Sequence, residues 1–179
     1  MKDIKEEKAF FCKSCKNAKN GIQVVTGRNN PFYAHGADRK AIRKCWDKCL
    51  TKLTKKYGEQ EQTMEVFLRD VQLLKREMNA NFPNAFARGE FHYIDALRSL
   101  SVVIKYRWCN KEDYPKPPRC PITKPILVQV KSKYANYEDK KITRQVVLDI
   151  YDRFQKEAEK HEPKDIAIWE LYAYNSLKK

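Results

Sequence analysis

Glycine is scarce, with five residues in 179, and that shortage disfavours an all-β chain built on many tight turns. Long apolar runs are missing too. No stretch approaches the ~20 apolar residues that a bilayer-spanning helix needs, and the opening MKDIKEEKAFF lacks the apolar centre of a secretory signal. The expectation is an intracellular, cytoplasmic chain with no membrane partner, where thiols stay reduced. Internal repeats and low-complexity tracts are also absent.

What is present is core material and positive charge. Apolar residues make up 42% and charged residues 34%, a balance that excludes wholesale disorder. The formal net charge is +14, unevenly spread. Residues 1–59 hold 15 Lys and Arg against 6 Asp and Glu, whereas residues 60–179 hold 22 against 17. A concentrated basic region favours polyanionic partners. Two units follow: a basic module at 1–59 and a helical domain at 60–179, the latter interrupted by a proline-rich connector at 110–125.

The apolar spacing predicts a mainly α protein. Over 38–56, Ile42, Cys45, Trp46, Cys49 and Leu53 fall on one helical face and the Lys and Arg residues on the other. Asp38 is placed to cap this helix. Met64, Phe67, Val71, Leu74 and Met78 repeat at 3, 4, 3, 4 and form a seam. That seam faces the core or, alternatively, a protein partner or second copy through the 64–78 helix. Residues 86–109 are apolar around most of the circumference and read as a central helix. Residues 142–159 return to helical spacing, and 164–179 read as a helix over a strand. The turn-forming residues around Ile22–Val25 predict a small hairpin within 17–37, and ILVQVKSK at 126–133 predicts a short strand.

Six cysteines in a reducing compartment point first to metal or burial. Cys12 and Cys15 form C-x2-C, and Cys45 and Cys49 form C-x3-C. Zinc takes four thiolate or imidazole ligands in a tetrahedron; a turn can converge two sulfurs, and i, i+4 positions on a helix face the same way. The expectation is a structural zinc held by Cys12, Cys15, Cys45 and Cys49, with His35 as a substitute ligand. Cys109 and Cys120 flank the connector and read as packing residues. Over residues 12–49 the layout resembles treble-clef zinc fingers, in which a knuckle and a hairpin lead into a helix that supplies the last ligands. The resemblance implies a small zinc-finger-like module ahead of the helical body.

The cations nearest the cysteines are Lys13, Lys16, Lys19 and Arg28 upstream and Lys40, Arg43, Lys44, Lys48, Lys52 and Lys55 on the helix. Together they could follow a phosphate backbone. Lysine supplies point charge without base-reading geometry, so the expected behaviour is low sequence specificity and steep salt dependence. Phe32, Tyr33 and Trp46 are candidates to stack on unpaired bases. The preferred reading is a zinc-stabilised, non-catalytic protein that binds DNA or RNA.

Two enzymatic alternatives belong to metal-dependent nucleases. VQVKSK, with Gln129 and Lys131, resembles the metal-binding strand of the PD-(D/E)XK nucleases, which implies an acidic partner upstream at Glu112 or Asp113. Two cysteine pairs with His35 between them resemble the ββα-metal nucleases. Glu90, His92 and Asp95 also combine imidazole and carboxylate, although their spacing does not share one helical face. The remaining alternative is a protein-interaction adaptor or inhibitor.

Overall fold

The computed structural model describes residues 3–27 and 31–178. Among them are eight α-helices, three short 3-10 turns and no strand; the only β pairing is one isolated antiparallel bridge between Tyr33 and Phe86.

Helix α1, Ile4–Ser14, starts where Asp3 accepts a hydrogen bond from the Lys5 backbone N–H at 2.8 Å. Glu6 and Glu7 in its first turn and Lys13 in its last match the helix dipole. A 3-10 turn at Lys16–Lys19 leads to α2, Gly21–Thr26, capped by the Asn20 side chain on the Ile22 N–H at 3.0 Å. This replaces the expected hairpin. Ile22 and Val25 are both buried, and their three-residue separation puts both on one side of a helix turn; alternation would have split them.

Helix α3, Arg39–Thr54, is capped by Asp38 on the Ala41 N–H at 2.9 Å, as its sequence indicates. Its buried line is Ile42, Trp46, Leu50 and Leu53. Helix α4, Met64–Asn81, buries Phe67, Val71, Leu74 and Met78. The seam is therefore packed against the chain's own α3 and α5. Tyr57 and Lys56 both reach Asp70 of α4, at 2.7 and 2.8 Å, and fix the α3–α4 corner.

Helix α5, Tyr93–Asn110, is buried without a break from Tyr93 to Lys105. It begins later than the apolar pattern indicates. Residues 86–91 are held outside the helix by a turn in which Gly89 has φ of 89°, a conformation glycine adopts freely. Helices α1, α2, α3 and α4 all pack on α5. Beneath α3, Trp46 stands edge-on to Phe91 with ring centroids 4.7 Å apart and stacks on Phe32 at 5.6 Å.

The connector from Lys111 to Thr123 is non-helical, as five prolines in its vicinity require. It ends in α6, Lys124–Gln129, where the strand at 126–133 was expected. Pro125 sits in the first turn, where its missing N–H is harmless. Ile126, Leu127 and Val130 are buried while Val128 is 55% exposed, a helical distribution that a strand would not produce. Helix α7, Arg144–Ala158, and α8, Ile166–Ser176, follow. Helix α8 packs on α7, α6 and, across the chain, on α1. A single cluster of buried apolar side chains runs from Phe11 to Ala173, with contributions from both the 1–59 and 60–179 segments. No described helix is long and apolar enough to cross a membrane.

Candidate functional site

The four cysteines expected to share a metal are divided between separate places. Helix α1 continues through Cys12, so the C-x2-C pair is not a knuckle. Cys12 receives a hydrogen bond from the thiol of Cys109 on α5, which holds Cys12 below the usual thiol range. That same contact, with burial second, raises Cys109. Cys15 Sγ lies 3.3 Å from the Tyr174 hydroxyl on α8. Cys45 and Cys49 face one another along α3, and Cys49 is pushed up to about 11 by burial, by Cys45 and by Glu77 of α4. Cys120 is buried and shifted well upward by desolvation. All six thiols are free.

Among the described residues no group of three or more His, Cys, Asp or Glu side chains could hold a metal ion. This corrects the zinc-finger-like, treble-clef-like module, the zinc cofactor and the zinc-stabilised and metal-dependent nuclease readings that depended on it. The N-terminal segment is fastened by apolar burial at Phe11, Ile22, Val25, Ile42 and Trp46 instead. The nuclease residues do not assemble. Gln129 ends α6, Lys131 has φ of 51° and is exposed, and Glu112 pairs with Lys5 at 3.0 Å. His35 is exposed. Asp95 accepts the His92 N–H at 3.0 Å and an Arg88 N–H at 2.7 Å, so those groups serve the start of α5.

The cations fare differently. Lys13, Lys16, Lys19, Lys40, Arg43, Lys44, Lys48, Lys52 and Lys55 are all exposed. None of them forms an ion pair with a carboxylate among the described residues. Elsewhere exposed cations do find acids: Lys5 with Glu112, Lys156 with Asp152, Lys160 with Glu157 and Arg144 with Glu65, all at 3.0 Å or less. Arg28 lies outside the described residues. Phe32 and Trp46 are buried in the aromatic cluster and cannot stack on a base, while Tyr33 is half-buried with Arg39 over its ring at 5.6 Å.

The basic elements meet across a groove of about 400 Å³. Lys16, Lys19 and Gln23 form one wall, Asp47 and Thr51 of α3 the other, and Val103 and Arg107 of α5 the floor. Arg107 is steadied by Thr54 Oγ1 at 2.6 Å.

Beyond Lys16 lies a second cleft of about 460 Å³, which the sequence did not bring to notice. At its base Lys105 Nζ donates to Glu170 Oε2 at 2.5 Å, and the two side chains are only 2% and 1% exposed. The ammonium also sits 4.3 Å from the centre of the Phe11 ring and 4.9 Å from that of Tyr174. Burial raises the Glu170 carboxyl, and Lys105 opposes it. Each residue is the lone acid or base in a short apolar setting, VVIKY and IAIWELYAY, and isolated charges of opposite sign in two buried helices are the signal by which such a pair could be anticipated.

No protein-family model matches the chain. Curated proteins and solved structures likewise provide no significant match.

Proposed function

We propose that the chain binds nucleic acid, DNA or RNA, through its phosphate backbone and without a metal. The observation that carries this reading is the set of nine exposed cations on α3, at its C-cap Lys55 and in the 13–19 segment, none of them ion-paired with a carboxylate among the described residues. A face of like charges repels itself and costs folding free energy unless a polyanion covers it. Sixteen residues of α3 span about 24 Å at 1.5 Å per residue, enough to meet several phosphates in succession. The binding is sequence-tolerant because lysine dominates the surface. Six free thiols support a reducing, cytoplasmic setting for it.

The test is fluorescence anisotropy with labelled DNA and RNA oligonucleotides over a salt series, with and without EDTA. The logarithm of the binding constant should fall linearly with the logarithm of salt concentration, by about 0.9 per phosphate neutralised on a duplex and about 0.7 on a single strand. EDTA should change nothing. Lys44→Glu/Lys48→Glu should shallow that slope by about two phosphate contacts. A salt-independent affinity, or an unaltered slope in the double variant, would overturn the reading.

A further inference from the structure

We infer that the cleft above Lys105 and Glu170 takes the base of an unpaired nucleotide, with the N–H donor of that base directed at Glu170. The inference rests on the backbone-binding reading and deepens it from a charged surface to a nucleotide site.

Three observations converge. The first is an unfilled acceptor. Glu170 Oε2 takes the Lys105 hydrogen bond, but Oε1 has no partner, although the side chain is 1% exposed. Thr123 Oγ1 lines the same cleft and is also unpartnered. Buried polar atoms are paired in the great majority of cases, and an unpaired one costs about 1–3 kcal/mol. A ligand bringing a donor removes that cost, so the cleft favours ligands that carry one.

The second is the shape and chemistry of the walls. The volume of about 460 Å³ falls within the ~300–1,000 Å³ of small-molecule sites. Phe11, Val24, Val102 and Tyr174 supply apolar and aromatic lining, which suits a flat heteroaromatic body. A bare inorganic anion would fit poorly against that carboxylate.

The third is the mouth. Lys13, Lys16 and Lys178 border the opening, and Lys16 also lines the groove that runs toward α3. A strand whose phosphates follow Lys16 and Lys19 therefore passes the opening of the cleft. A duplex cannot present a base this way, because its bases are stacked and paired. The favoured partner is single-stranded, and an exocyclic amine, as in adenine or cytosine, is the donor that matches a lone carboxylate oxygen.

The experiment is calorimetric titration of the full-length chain with adenosine 5′-monophosphate, with purine riboside 5′-monophosphate, which keeps the ring but has no N–H donor on the base, and with ribose 5-phosphate. Adenosine monophosphate should bind at least about tenfold more tightly than either, a ratio that one hydrogen bond to a charged acceptor supplies. Thr123→Val, which removes an unpartnered buried hydroxyl at nearly constant volume, should keep or raise the melting midpoint and weaken adenosine monophosphate several-fold. Glu170→Gln should erase the preference over purine riboside monophosphate. Equal binding of all three ligands, or no loss in either folded variant, would overturn the inference. Retained oligonucleotide binding with no mononucleotide binding would also overturn it while leaving the backbone reading standing. Loss of both would remove the two together.

Discussion

Replacing Lys105 with Met should be among the most damaging single changes in the protein. The side chain is 2% exposed and its ammonium is the sole partner of Glu170 Oε2 at 2.5 Å. Without it, a carboxyl that is 1% exposed keeps neither oxygen satisfied. Breaking a buried pair from one side costs about 3–5 kcal/mol. Against a typical total of about 5–15 kcal/mol, that is about a fifth or more of the stability, and for a chain of this length it lowers the melting midpoint by about 6–20 °C. Glu170→Leu should cost a similar amount, because it strands the ammonium between Phe11 and Tyr174. The double variant Lys105→Met/Glu170→Leu should instead lie within about 1 kcal/mol of the native protein or above it, since hydrophobic replacement of both partners removes the desolvation penalty along with the attraction. Urea titrations followed by circular dichroism at neutral pH yield all three values and the coupling between them. Single variants that each cost under about 1 kcal/mol, or a double variant whose cost is the sum of the singles, would refute the reasoning.

Gly21→Ala should be destabilising by about 1–3 kcal/mol, because a Cβ there would stand 2.2 Å from the Ser99 carbonyl oxygen and 2.8 Å from Val103 Cγ2; denaturant midpoints measure it, and a neutral result would mean that α2 does not sit against α5. The raised Glu170 carboxyl makes the native state hold that proton more tightly than the unfolded chain does. Its stabilising contribution is full below the ordinary carboxyl value of 4.5 and is lost as pH rises through the higher folded value. Glu170→Gln should therefore lose less stability than the native protein between pH 4.5 and neutrality, as melting curves across that range would record. Timed iodoacetamide labelling with peptide mapping should modify Cys12, whose thiolate is favoured, before Cys49, held up to about 11, and should reach buried Cys120 last.

The long amphipathic patterns were legible because each repeats over several turns. Helices α3 and α4 follow from their spacing, and Asp38 does cap α3. Helix α5 is central because its apolar residues cover most of its circumference. The misread elements were the six-residue helices α2 and α6. Six residues hold fewer than two turns, so alternation and helical spacing cannot be separated, and burial decides. The cysteines misled for a related reason. C-x2-C suits a turn or a short helix equally, and here Asp3 and the first-turn acids start a helix that runs through Cys12 and directs its sulfur to Cys109, which is remote in sequence. At the candidate site, the lysines were visible as a charged face, since exposure follows from the same periodicity that buries Ile42 and Trp46. The cleft was not visible, because Lys105 and Glu170 come together only when α5 and α8 are in place.

The contact between α1 and α8 has a consequence for how the protein is made. Asn175 donates to both the backbone and the side-chain oxygens of Glu7, at 2.8 and 2.7 Å, across 168 positions of sequence. On a ribosome elongating at about 5–20 residues per second, α1 leaves the exit tunnel roughly 10–30 s before the asparagine that completes it. During that interval Glu7, Phe11 and Cys12 have no α8 beside them. Any nascent chain halted before residue 175 therefore presents α1 without its α8 cover, and apolar surface left open in this way is what chaperones bind.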